Sequence, residues 1–293
     1  MRSKQSRNIL FLSDMHVGSE YAVCSPKPIK GGGSYNPNRL QKRLYEIWCW
    51  VKDSISKQPH ILVLNGEPCD GGNPKQNGNE SWTTVLREQL DDAISLLEMY
   101  KPKYFLMTRG SGYHVALGGN NQEEILAKEL GAVPYSGYLH RETKEIQGWH
   151  DGKHLSTRVD NYLTFRVHGK VFSVTHHIGF NRWFAYRTTA LAREMADMEF
   201  LRGRYWKPED TPSVIARSHV HYFVMVRFSN QFGFTTPSMK LPDSHLFRGG
   251  LGGTAPSLGS IEVIVEPNGK IIVEPHIVSN DNYPKHKILD LTN

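Results

Sequence analysis

Five short apolar runs recur along the chain: NILFLSDMH (8–16), HILVLNGEPCD (60–70), KYFLMTRGSGYH (103–114), KVFSVTHH (170–177) and SVIARSHVH (213–221). Each has the length of a strand, and near-continuous apolarity is what a parallel strand covered on both faces shows. Helical periodicity fills the gaps between the first three. Residues 38–57 set Leu40, Leu44, Ile47, Trp48, Val51 and Ile55 on one stripe. Residues 81–99 do the same with Val85, Leu86, Leu90, Ile94 and Leu97, and Ser81 is the expected N-cap. The segment NNQEEILAKELGA opens with Asn121 and Glu124 in capping-box spacing and closes at Gly131. This alternation predicts βαβ units.

From about residue 133 the pattern turns to paired strands. YLTFRVHGKVFSVTH reads as two strands about His168, Gly169 and Lys170, and IEVIVEPNGKIIVEPHIV as a hairpin about Pro267, Asn268 and Gly269. The expectation is an α/β fold with a mixed sheet, or two stacked sheets, flanked by helices. A helical insertion is expected at 180–208, a C-terminal β-hairpin region at 220–280, and one domain over 1–293. The glycine tracts at 31–33 and 249–253 read as loops, because neither opens a helix after a strand.

At 293 residues the chain can bury a sizeable core. Its apolar runs fall well short of the roughly 18 residues needed to cross a bilayer. The stretch MRSKQSRNILFLSDMH lacks a signal-peptide core, so a cytoplasmic protein with no membrane partner is expected. Cys24, Cys49 and Cys69 have no CxxC spacing and support neither a disulfide framework nor a thiolate zinc site. A formal charge of +6 favours anionic partners such as phosphates or nucleic acid.

The chemistry collects where the runs end. In parallel α/β sheets, ligands bind beyond the carboxyl ends of the strands. Here those ends carry Asp14 and His16; Glu67 and Asp70; His114; His176 and His177; and His219 and His221. One histidine at a strand end is ordinarily a packed or surface residue, but five strand ends in agreement point to a site. Asp14 and His16 are separated by one residue, which in an extended segment sends both side chains to one face, and His219 and His221 repeat the spacing. Oxygen and nitrogen donors without thiolate suit manganese, iron, zinc or a similar divalent ion. The doublet leaves open whether His176 or His177 is the ligand. His140, His150, His154 and His168 have no partner spacing and read as surface residues.

The ordered blocks SDMH, GEPCD, GSGYH, VTHH and SHVH resemble the calcineurin-like metallophosphoesterases, whose pattern is D-x-H, G-D-x-x-D, G-N-H-D/E, a His, and G-H-x-H. The resemblance spans residues 8 to about 225 and implies a four-layer αββα sandwich. It also implies two divalent metal ions, with manganese the first choice and iron, zinc, nickel or magnesium the alternatives. Asp14, His16 and His221 would hold one ion, His176 and His219 the other, and Glu67 would bridge them. His114 would be the general acid, with Asp70 orienting it. Two departures bear on the second ion. Glu67 replaces an Asp and reaches about 1.5 Å further. Tyr113 stands where the family has an Asn ligand, leaving Ser111 or a water to substitute.

The implied activity is phosphoester hydrolysis by a metal-activated water. Arg109, Arg182 and Arg187 are the candidate substrate contacts, the last two within an insertion that interleaves cations with aromatics. That composition favours a phosphodiesterase or nuclease, with nucleic acid or a nucleotide as partner. A phosphomonoesterase acting on a nucleotide or phosphoprotein is the alternative within the enzyme class. A binding module on a catalytically decayed copy of the same fold is the rival outside it.

Overall fold

The computed structural model describes residues 5–29, 33–72, 77–112, 114, 122–134, 158–202, 204, 207–248, 255–279 and 281–284. Asn121, Tyr113, His140, His150, His154, Tyr205, Trp206 and the tract 249–253 lie outside the described residues.

The first three apolar runs form parallel strands β1 (Arg7–Leu12), β2 (Ile61–Asn65) and β3 (Tyr104–Thr108), joined at the edge by the short β4 (Val159–Asp160). The predicted hairpin at 261–278 is β10 (Gly259–Val265) and β11 (Ile271–Ile277), which adds antiparallel to β1 to give the order β11-β10-β1-β2-β3-β4. A second sheet takes β5 (Leu163–Val167), β6 (Lys170–Val174), β7 (Val214–Arg217), β8 (Met225–Phe228) and β9 (Gln231–Thr235) in the order β5-β6-β7-β9-β8. Within it β6, β7 and β9 run parallel.

Both faces of β1 and β2 are buried, and the parity of their residues explains the unbroken apolar runs. Ile9, Phe11, Ile61 and Val63 face Phe172, Val174, Val214, Ala216 and Phe234 of the second sheet. Phe11 meets Phe234 edge-on at 5.1 Å between ring centroids. The alternate residues Leu10, Leu12, Leu62 and Leu64 pack beneath the helices α1 (Arg39–Ser54), α2 (Leu86–Glu98) and α3 (Gln122–Glu129). On the far side, Leu191, Met195 and Met198 of α4 (Thr189–Phe200) close over Ile215 of β7. The layers are therefore helix, sheet, sheet, helix, as the resemblance implied. Among the described residues the last helix, α5 (Ser244–Arg248), follows the second sheet. No helix among the described residues is long and apolar enough to cross a membrane.

Two expectations are corrected. Ser81 does not cap α2: it forms an isolated bridge with Ser19, the adjacent Trp82 N–H donates to the Gly18 carbonyl at 2.8 Å, and the helix begins at Leu86. Pairing with the loop after β1 outcompetes helix extension there. Residues 180–208 are not continuously helical either. The Asn181 side chain accepts from the Trp183 N–H at 2.9 Å, a local turn that competes with helix, so only a single turn at Phe184–Tyr186 precedes α4. By contrast Asn38 and Gln41 exchange both capping-box hydrogen bonds at 2.9 Å and start α1.

Candidate metal centre

The carboxyl ends of β1, β2 and β3 in one sheet and of β6 and β7 in the other meet at one end of the sandwich. The ends of β1, β2 and β7 deliver their side chains through sharp turns. Asp14, His16, Glu67, His219 and His221 all have positive φ, between 47° and 72°. The segments are therefore not extended, as the one-residue spacing suggested, and convergence comes from left-handed turns instead. Main-chain bonds between the β1 and β2 loops hold them, from Asp14 N–H to the Gly66 carbonyl at 3.2 Å and from His16 N–H to the Glu67 carbonyl at 3.1 Å. Gly66 itself has φ of +80°, and a side chain there would strike the His176 ring and Gly110.

Three groups of donors result, each within 4.8 Å: Asp14, His16, Glu67 and His221; Glu67, His176 and His219; and His16, Asp70 and His114. Glu67 is common to the first two. His16 Nε2 lies 3.0 Å from Glu67 Oε2 and 3.2 Å from His221 Nε2. His221 Nε2 is 3.2 Å from Asp14 Oδ1, and His176 Nε2 is 3.2 Å from Glu67 Oε1. Asp14, Glu67, His16 and His176 are each at most 2 % exposed.

The outer nitrogens fix the tautomers. A carbonyl can only accept, so His176 Nδ1 donates to the Asn65 carbonyl at 2.7 Å and His114 Nδ1 to the Asp70 carbonyl at 2.8 Å. His16 Nδ1 lies 3.2 Å from Asp70 Oδ1. The Nε2 edges of His16 and His176 are then turned on carboxylate oxygens and, for His16, on the His221 imidazole as well. Asp14 Oδ1, His176 Nε2 and His219 Nδ1 are buried without a formed hydrogen bond. Buried polar atoms are ordinarily satisfied, and convergent lone pairs around carboxylates are what a divalent cation satisfies. The donor set present fits two such ions.

The electrostatics agree. Burial by itself would raise the Glu67 carboxyl, but His176 and His16 outweigh it and hold it well below the usual range. Burial would lower His176, yet the Glu67 and Asp14 carboxylates raise it to about 9, a measure of how strongly the pocket draws positive charge. Burial takes His114 and His219 down to about 4, so both rings are neutral at neutral pH.

Several supporting residues carried no signal in the sequence. The buried Lys240 ammonium sits 3.2 Å from Asp70 Oδ1 and 3.0 Å from Asp243 Oδ2, behind His16. Its neighbour Met239 donates its N–H to the Asp14 carbonyl at 3.1 Å. A lysine with an aspartate three residues on reads as a surface ion pair, and nothing in PSMKLPD marks it as buried. Asn65 joins the two sheets, donating to Thr175 and Ser218 and accepting from Thr108. Ser111 donates both its N–H and its hydroxyl to Glu67 Oε1. Glu123 accepts from the Gly110 N–H at 2.8 Å, and burial raises its carboxyl to about 7.

Of the other candidates, Asp70 turns its carboxylate to His16 and Lys240 and holds His114 through its main chain. His177 is exposed, with its ring 4.7 Å from that of His219, while His176 is the buried member of the doublet. Arg109 Nη2 reaches the Val159 carbonyl at 3.5 Å. Arg182 stacks on Trp183 at 5.4 Å, and Arg187 lies over Tyr222 at 4.5 Å.

An αββα sandwich with carboxylates and imidazoles gathered at its strand ends defines a metal-binding protein of the phosphoesterase class. The chain belongs to the calcineurin-like phosphoesterases, whose family model matches residues 7–244. Solved structures similar in arrangement include a Vps29 single mutant from Entamoeba histolytica, at 7 % identity and a TM-score of 0.41 over 93 % of this chain and 99 % of that one. Others are an archaeal phosphodiesterase (10 %, TM-score 0.39, 92 % and 99 %) and a predicted phosphoesterase from Streptococcus pneumoniae (9 %, TM-score 0.35, 94 % and 100 %). No curated protein matches significantly.

Proposed function

We propose that the protein is a divalent-metal-dependent phosphodiesterase or nuclease. The observation that carries this reading is the convergence of Asp14, His16, Glu67, His176, His219 and His221, with Asp14 Oδ1, His176 Nε2 and His219 Nδ1 buried without a hydrogen bond. Two divalent cations, manganese the first choice, would be held by these residues, where they would lower the pKa of a water and neutralise phosphoryl charge.

The protein's own groups do the rest. His114 Nδ1 is tied to the Asp70 carbonyl, which leaves Nε2 as its exchangeable position toward substrate. Burial keeps the ring neutral when the site is empty of substrate, and an anionic phosphodiester beside it favours the imidazolium. As the oxygen of a water that has lost one proton to solvent bonds to phosphorus and the P–O bond to the leaving group breaks, His114 gives its Nε2 proton to the leaving oxygen. Asp70 and Lys240 hold His16, and Ser111 holds Glu67. A diester is favoured over a monoester by Arg182 and Arg187, which lie in the segment following His176, and by the net charge of +6.

Hydrolysis of bis(p-nitrophenyl) phosphate, with manganese and with a chelator, tests the reading. Manganese-dependent cleavage lost in Asp14→Ala and reduced roughly 100-fold or more in His114→Ala is expected. Absence of cleavage with every divalent ion would favour a binding module instead.

A further inference from the structure

An amphipathic insertion would bury its aromatic face, and this one does not. Trp183 is 65 % exposed, Phe184 83 % and Tyr186 59 %, all within one short stretch. Solvated rings so close together are an unpartnered surface. The arginines among them are arranged differently from those nearby. Arg202 and Arg217 pair with Glu199 and Glu194. Arg182 and Arg187 have no carboxylate partner among the described residues and lie on rings instead, Arg187 between Phe184 at 5.3 Å and Tyr222 at 4.5 Å. Its Nε is buried without a hydrogen bond. A guanidinium stacked on a ring keeps its in-plane N–H donors for phosphate oxygens.

The segment is anchored beside the candidate metal centre through the buried Tyr222. Tyr222 directly follows His221, its hydroxyl accepts from the Asn181 N–H at 3.3 Å, and its ring is 6.0 Å from that of Phe180. The segment therefore docks on the residue next to a candidate ligand while its outermost rings stay in solvent.

We infer that residues 180–187, seated on the buried Tyr222, form a stacking platform for single-stranded nucleic acid, delivering its phosphodiester backbone to the centre. The chemistry rests on the phosphodiesterase reading, but the binding does not. Unpaired bases offer free π-faces to Trp183, Phe184 and Tyr186, and the phosphates between them suit Arg182 and Arg187. A duplex hides its base faces and could use only the charges. An acidic protein would likewise leave the rings idle.

The test is fluorescence anisotropy of a labelled oligothymidine of about 12 nucleotides in the presence of a chelator, so that no turnover intervenes. The single strand is expected to bind more tightly than a duplex of the same length. A double variant, Trp183→Ala with Phe184→Ala, is expected to lose roughly 10- to 100-fold in affinity. Trp183→Phe should retain most of it, and the melting temperature should not move, because these side chains are exposed. Unchanged affinity in the double variant, equal affinity for duplex, or equal competition by polyglutamate would each overturn the platform. Diester cleavage by the wild type without oligothymidine binding sinks the platform alone. Tight binding without cleavage sinks the hydrolase reading alone.

Discussion

Left-handed backbone at Asp14, His16, Glu67, His219 and His221 is disfavoured for any residue with a side chain, at about 1 kcal/mol or more each. Such a set persists only where its surroundings over-determine it, and here the loops after β1 and β2 bond to each other through Gly66 and Glu67. Which residues converge was legible in the sequence because metal-capable residues end every apolar run. Their geometry was not, since the i, i+2 spacing says nothing about a positive φ. Lys240 escaped for another reason: burial of a lysine depends on partners distant in sequence, and Asp70 is one of them. Burial would lower the Lys240 ammonium, but the two carboxylates outweigh it and raise it. Lys240→Met removes the ammonium from the buried Asp70 carboxylate, leaving it to the imidazoles beside it, and should cost about 3–5 kcal/mol in denaturant unfolding, largely restored by adding Asp70→Asn. A loss under about 1 kcal/mol would show that water reaches the pair.

The continuous apolar runs read correctly because β1 and β2 are covered on both faces, by helices on one and the second sheet on the other. Hairpins were legible from their turns. Helix starts were less so: α1 carries its own cap, whereas the residues before α2 are claimed by the loop at 17–20. Tertiary pairing of that kind leaves no local trace. Another such link joins elements far apart in sequence. Glu262 of β10 accepts from Ser56 beyond α1, from Asn8 of β1 and from His276 of β11. Burial would raise its carboxyl, yet these bonds bring it to about 2. Its unfolded value near 4.5 lies above the folded one, so the unfolded chain binds more protons between the two and stability is lost as pH falls through that window. Denaturant midpoints measured from pH 5 to 2.5 should fall more steeply for the wild type than for Glu262→Gln. Parallel slopes would remove Glu262 from the acid limb.

At the level of the entire sandwich, the two sheets meet so that parallel strands from both contribute to one end: β1 to β3 from the first, β6 and β7 from the second. Neither sheet alone holds either proposed cation group, since each draws on residues of both. Binding there should therefore clamp the sheets together and stabilise the fold, because a ligand that binds only the native state shifts unfolding by mass action. The measurement that bears most directly on this is the manganese content of the protein after loading and desalting, read beside its melting temperature with and without the ion. Close to two ions per chain and a clear rise in melting temperature are expected, both abolished when Asp14 and Glu67 are replaced by Ala. No retained metal and an unchanged melting temperature would contradict the assignment of these residues as a metal centre.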